Sequence, residues 1–207
     1  MGLVSHPVRL DTLVENYNLK NFVETGTGDG SSMDIVTQSG LFDNLYGVEL
    51  DEDWCEKAVK RFPNAKMYQG YTKDKMYKVL DDLDDKPTLF WLDAHFPGAD
   101  YKGQRYDAEK DDTIRIPLES ELKIITENRD YSKDIFLMDD LRIYRDGPYE
   151  DGSWEWRSTA GSENCDFIED LIGESHILIE HHADQGYMIG YPIDSDEETI
   201  RSTIIGQ

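Results

Sequence analysis

The chain has 207 residues, enough to bury a substantial core within one folded unit. Its 44 acidic and 21 basic residues leave a formal charge of −23, which repels phosphate backbones and anionic lipid and argues against nucleic-acid or membrane partners. No run approaches the roughly 20 consecutive apolar residues of a membrane span.

The N-terminal MGLVSHPVRLDTL lacks the basic flank and apolar block of a signal peptide. Cys55 and Cys165 are too few for a disulfide framework or a zinc site, so a cytoplasmic location is expected. NFVET (21–25) reads as a short buried strand, and SSMDIVTQSG (31–40) as a helix stopped by Gly40. LYGVEL (45–50) is a second strand. DEDWCEKAVKRF (51–62) is a helix with Asp51 or Asp53 as its cap and Phe62-Pro63 as its stop. AKMYQG (65–70) is a weak third strand. TKDKMYKVLDDL (72–83) is amphipathic, with Met76, Val79, Leu80 and Leu83 along one face.

PTLFWLDA (87–94) is continuously apolar up to its final acid, as a strand buried on both faces should be. From His95 to Ile116 the pattern dissolves into turn residues and charges, a connection long enough to suggest function. PLESELKIITEN (117–128) resumes a helix, with Pro117 suited to its first turn. DIFLMDD (134–140) is a further buried strand, and 141–163 form a second long connection carrying Trp154 and Trp156. CDFIEDLIGE (165–174) is a short helix, and HILIEHHADQGYMIGYP (176–192) has hairpin character. His181 and His182, at the end of a strand, are expected to be structural or exposed. The polar tail from Asp194 is expected to be peripheral.

Alternating strands and helices imply βαβ units, so the expected fold is a doubly wound, Rossmann-like α/β sandwich. Its sheet is mostly parallel with a C-terminal antiparallel hairpin, and one domain spans 1–207 with its core at about 20–192. Ligands in such sheets bind at the carboxyl ends of the strands, where strand order reverses. Gly26, Gly28 and Gly30 follow the first strand and let the backbone turn tightly against a ligand. Glu24 precedes them, and Glu49 ends the second strand, about 20 residues on, where an acid grips ribose hydroxyls.

E-T-G-T-G-D-G at 24–30 resembles the acid-x-G-x-G-x-G first motif of class I S-adenosylmethionine-dependent methyltransferases. The resemblance implies that Glu24 orients the methionine amino group and that Gly26, Thr27, Gly28 and Gly30 line the methionine and ribose. Glu49 would bind the ribose diol. The family often places an acid after the third strand for the adenine amino group. Here Tyr71 and Thr72 stand there instead, so either Tyr71 stacks on the ring or the nucleoside pocket is altered.

Asp93 ends the fourth strand and Asp139-Asp140 end the fifth, on the same rim as the glycines. Gathering acids there is costly without a cation, a proton or hydrogen bonds, and three oxygen ligands suit Mg²⁺ or Mn²⁺ with open positions for a substrate diol. Each acid alone is equally well a helix or turn cap. The arrangement resembles that of metal-dependent O-methyltransferases, including the macrocin type, with Asp93, Asp139 and Asp140 as metal ligands. His95 would be a general base or a fourth ligand beside Asp93. The resemblance implies methylation of a small-molecule or carbohydrate hydroxyl, with residues 96–116 and 141–163 closing over the acceptor and Trp154 and Trp156 as lid, substrate wall, core or interface. A homo-oligomer is left open. A non-catalytic binding module on the same sheet is the alternative, and the glycine spacing argues against a nicotinamide dehydrogenase.

Overall fold

The structure is a computed structural model and describes residues 2–95, 111–152 and 164–206. Of the expected closing segments at 96–116 and 141–163, residues 96–110 and 153–163, with Trp154 and Trp156, lie outside the described residues.

The apolar runs become strands β1 (Asn21–Thr25), β2 (Asn44–Glu49), β3 (Ala65–Gln69), β4 (Thr88–Leu92) and β5 (Ile135–Met138). The C-terminal pair is β6 (His176–His181) and β7 (Tyr187–Pro192), and the seven strands form one sheet in the order β3-β2-β1-β4-β5-β7-β6. Pairings are parallel from β3 to β5, while β7 runs antiparallel to both β5 and β6. Every residue of β1, β4 and β5 is buried, because helices cover both faces of the central strands. The edge strand β3 is only half-buried, consistent with its weak apolar signal.

The helices are α1 (Leu10–Tyr17), α2 (Ser31–Ser39), α3 (Glu52–Arg61), α4 (Thr72–Asp82), α5 (Asp112–Arg115), α6 (Leu118–Asn128), α7 (Asp166–Ile172) and α8 (Glu197–Thr203). Asp51 is the α3 cap: its Oδ1 accepts from the Asp53 and Trp54 amides at 2.9 and 3.1 Å. The α4 stripe is buried as its spacing requires, with Met76 and Val79 fully covered. One core layer joins α4, α6 and α7 to the sheet through Val23, Phe90 and Phe136. The other face packs Phe22, Trp91 and Leu137 beneath α1, α2 and α8.

The tail was expected to be peripheral, yet α8 buries Ile200 and the residue after it, Ile204, which bridges to Val8. Arg9 donates to the Ile204 carbonyl, so the N-terminal segment and the tail hold each other against the second core layer. The winding of the chain reverses between β1 and β4, which opens a crevice above their carboxyl ends.

Candidate functional site

At the end of β1 the chain turns under the constraint of a neighbouring backbone. Gly26 has φ of +73°, and a Cβ there would lie 2.6 Å from the Asp93 carbonyl oxygen and 2.9 Å from Ala94 Cα. Only glycine lets the β1 turn and the end of β4 approach this closely. The Gly26 amide donates to the Val48 carbonyl at 2.9 Å, which ties the same turn to β2. Gly28 differs: a Cβ there would meet only the Gly26 carbonyl at 3.8 Å, so its surface is open.

Glu49 joins this turn to the start of α3. Its Oε2 accepts from the Gly28 amide at 2.6 Å and its Oε1 from the Asp51 amide at 2.7 Å. Each oxygen keeps a lone pair beyond these bonds, available to a hydroxyl. Burial raises the Glu49 carboxyl above its ordinary value, against the pull of the Asp51 and Gly28 amides.

A cavity of about 210 Å³ runs along the crevice. Gly26, Gly28 and Glu49 line it together with Trp54, Tyr71, Asp93 and His95, the Gly26 turn packing against Asp93 and Ala94. Trp54 and Tyr71 are 42% and 36% exposed, large aromatic faces left uncovered beside a concave surface.

Behind Asp93 and His95 lies a buried row of acids. The Asp139 amide donates to the Leu92 carbonyl at 3.1 Å, which holds the ends of β4 and β5 side by side. One ligand atom each from Asp93, His95 and Asp139 lies within 4.8 Å of the others. His95 Nε2 sits 3.2 Å from Asp93 Oδ1 and 3.3 Å from Asp140 Oδ2. Burial alone would depress the His95 imidazole, but Asp140, Asp93 and Asp139 outweigh it and raise it to about 9. Asp139 is pushed well above the carboxylate range by burial and then by Asp93 and Asp140, and its Oδ1 has no hydrogen-bond partner. Gly2 packs directly on this carboxylate, since a Cβ at Gly2 would lie 2.3 Å from Asp139 Oδ2.

Several residues take positions that the sequence pattern did not assign. Asp140, expected as a ligand, has left-handed backbone (φ +60°), and its Oδ1 accepts from Arg142 Nε at 2.9 Å. The Gln185 amide, turned so that its oxygen accepts from Arg142, donates to Asp140 Oδ2 at 3.2 Å. Asp140 is thus held by Arg142 and the β6–β7 turn, with its Oδ2 3.3 Å from His95 Nε2. Gly30, expected in the cradle, faces away from the cavity: a Cβ there would strike the Phe62 ring at 2.7 Å. Glu24 and Thr27 lie beneath the turn rather than on the cavity surface, and Glu24 Oε2 and Thr27 Oγ1 have no hydrogen-bond partner. Burial, then Asp93, then Glu49 raise the Glu24 carboxyl well above its ordinary value. His181 is an anchor: its Nε2 bonds the Ile205 carbonyl at 2.7 Å.

Trp54 and Glu121 were not foreseen. The helical spacing carried both, but one reads as an exposed aromatic and the other as part of a charged face. The donor chemistry fits two guests. Glu49 beside an open Gly28 suits a ligand with hydroxyls, and the buried Glu24 carboxyl beneath them suits an ammonium group held nearby. The Asp93, His95 and Asp139 set offers hard oxygens and one imidazole to a divalent cation.

No protein-family model matches the chain, and no curated protein matches it. Solved structures share its fold. A protein assigned as a caffeoyl-CoA O-methyltransferase from Staphylococcus aureus superposes with a TM-score of 0.58 at 19% identity, covering 88% of this chain and 80% of its own. An O-methyltransferase from Bacillus cereus in complex with SAH gives 0.52 at 16% identity, covering 91% and 84%. The O-methyltransferase NcsB1 from neocarzinostatin biosynthesis, in complex with S-adenosyl-L-homocysteine (SAH) and 1,4-dihydroxy-2-naphthoic acid, gives 0.51 at 15% identity, covering 86% and 50%. The fold is the one these proteins have in common.

Proposed function

We propose that this chain is an S-adenosylmethionine-dependent methyltransferase that methylates a hydroxyl of a small molecule or sugar, assisted by Mg²⁺ or Mn²⁺ at the acid cluster. One observation supports the reading above all: Gly28 and Glu49 line the same cavity as Asp93 and His95, two of the three groups within reach of one cation. The fold match to SAH-bound O-methyltransferases and the small hydroxylated aromatic bound by NcsB1 are in accord with it.

In this reading Glu24, beneath the turn, orients the methionine amino group through water rather than by direct contact. Glu49 accepts the ribose hydroxyls with the lone pairs its amide bonds leave free, and Trp54 and Tyr71 flank the base. Asp93 and Asp139 hold the cation, with His95 as the third group and Asp140 as its buttress. When bound, S-adenosylmethionine supplies an electrophilic methyl and the cation a positive charge that favours an ionised hydroxyl. Asp93 lines the cavity and takes the acceptor's proton, while His95 fixes it through the 3.2 Å contact. Alignment of acceptor and methyl along one cleft supplies the rest.

Calorimetry with SAH and with MnCl₂ tests both halves. Binding of each to the wild-type chain is expected, with Asp139→Asn losing Mn²⁺ but keeping SAH. Absence of any heat with SAH at sub-millimolar concentration would remove the proposal. A non-catalytic module is the competing reading, favoured by the cover that Gly2 places on Asp139. Methyl transfer to any hydroxylated acceptor would exclude it.

A further inference from the structure

One buried acid has no part in this scheme. Glu121 lies on α6 among the buried Leu118, Leu122 and Ile125 and is 1% exposed. Its Oε2 accepts from Thr25 Oγ1 at 3.3 Å, and Oε1 has no hydrogen-bond partner among the described residues. Thr25 Oγ1 in turn accepts the Asp93 amide at 3.2 Å.

This is an expensive way to fill a helix face. A carboxyl with one bare oxygen in an apolar layer costs more than a methionine of similar volume, and replacing buried polar groups by apolar ones of the same shape is often stabilising. The groups it ties together explain the cost. Thr25 ends β1 just before the glycine turn, and Asp93 follows β4 and lines the cavity. The ends of β1 and β4 are thus tied to α6 through the Glu121 carboxyl and the Thr25 hydroxyl.

We infer that Glu121 is a positioning residue: through its bond to Thr25, whose hydroxyl holds the Asp93 amide, it sets the spacing between the glycine turn and Asp93. Burial raises its carboxyl to about 7, so at neutral pH it is protonated in about half of the molecules and carries less charge than an ordinary glutamate. Its role is geometric. The bonds transmit position to groups that touch the ligand, and ligand affinity depends on that position more than the stability of the fold does. The inference rests on the proposed S-adenosyl ligand.

The test compares wild type, Glu121→Met and Glu121→Gln by thermal unfolding and by SAH calorimetry. Glu121→Met is expected to melt at or above the wild-type temperature while binding SAH about tenfold more weakly, on the scale of other outer-shell losses. Glu121→Gln retains an acceptor for Thr25 and is expected to stay close to wild-type affinity. A purely structural acid would give the opposite pattern, a lower melting temperature with unchanged affinity, and that result overturns the inference. Equal loss in both variants also overturns it, because the conserved hydrogen bonds would then have done nothing. Thr25→Val cuts the same tie from its other end and must reproduce the weakened binding, including if Glu121→Met does not fold. Normal SAH affinity in Thr25→Val sinks the idea. Wild-type protein that binds no SAH defeats the proposed function and this inference with it, whereas wild-type binding with unaffected variants defeats the inference alone.

Discussion

At the scale of single residues, the two glycines that begin the cradle are constrained by different neighbours, and their substitutions separate accordingly. Gly26→Ala would drive a methyl into the Asp93 and Ala94 backbone, which has no rotamer to yield. Strained φ alone costs on the order of 1–3 kcal/mol, and the backbone collision adds to it. A large drop in melting temperature or insoluble expression is expected. Gly28→Ala meets nothing closer than 3.8 Å, so it is expected to fold with a modest loss of stability while its methyl intrudes on the cavity and weakens SAH binding. Equal melting temperatures for the two variants would contradict this account. Asp139→Asn belongs to the same scale. Removing one of several mutually repelling buried acids should raise the melting temperature of the cation-free protein, and the loss of a ligand should weaken Mn²⁺ binding by at least about tenfold. Thermal melts with and without MnCl₂ read both effects.

At the scale of elements, the strands were legible because continuous apolar runs bounded by turn residues admit few alternatives, and β4 and β5 carried their terminal acids with them. That is why Asp93 and Asp139 could be placed on one rim from their spacing alone. The displacement of Asp140 was not legible: Arg142 and Gln185 capture it, and Gln185 arrives from the distant β6–β7 turn. Helices α1 and α8 were missed for a similar reason. They are short, and their support is tertiary, through Arg9, Ile204 and the Val8 bridge. Glu121 gave no signal in the sequence because its partner Thr25 lies far away in the chain. The opposite end of the sheet has its own network. Arg129 Nε donates to the buried Asp134 carboxylate at 2.7 Å, and its Nη1 and Nη2 donate to the Asp84 and Lys86 carbonyls at 2.9 and 2.8 Å. Asp134 Oδ1 meanwhile accepts the Thr88 amide at 2.9 Å, which couples the entries of β4 and β5. Arg129→Met leaves Asp134 buried without its countercharge and is expected to cost roughly 3–5 kcal/mol in chemical denaturation. Because the network sits at the amino ends of the strands, SAH affinity of the folded variant should not change. A shift in affinity would mean that the two ends of the sheet communicate.

At the scale of the whole molecule, the sheet concentrates acids at its carboxyl rim within a chain that is already strongly anionic, and the pH dependence of stability follows from that. Glu24, Glu49, Glu121, Asp139 and Asp140 are all raised above their ordinary values, each by burial first. An acid that holds its proton more tightly when folded contributes stability that is fully present below its unfolded value and lost as pH rises through the folded one. For Glu121 that loss runs from about 4.5 up to about 7. His95 acts in the same direction on a higher window, its contribution present below about 6.5 and lost as pH rises through about 9. The exposed acids Asp82, Asp111 and Asp196 are lowered, and their contribution disappears only as pH falls below the usual carboxylate range. The cation-free protein should therefore be most stable in mildly acid solution and melt at progressively lower temperature from pH 6 to pH 9. Divalent cation should reverse the slope, because its binding competes with protons for Asp139 and His95. Melting curves at several pH values with and without MnCl₂ give the measurement, and the stabilisation by Mn²⁺ is expected to grow with pH. A cation effect that is constant across the range, or equal in Asp139→Asn, would mean that Mn²⁺ acts by screening the −23 surface rather than by occupying the acid row.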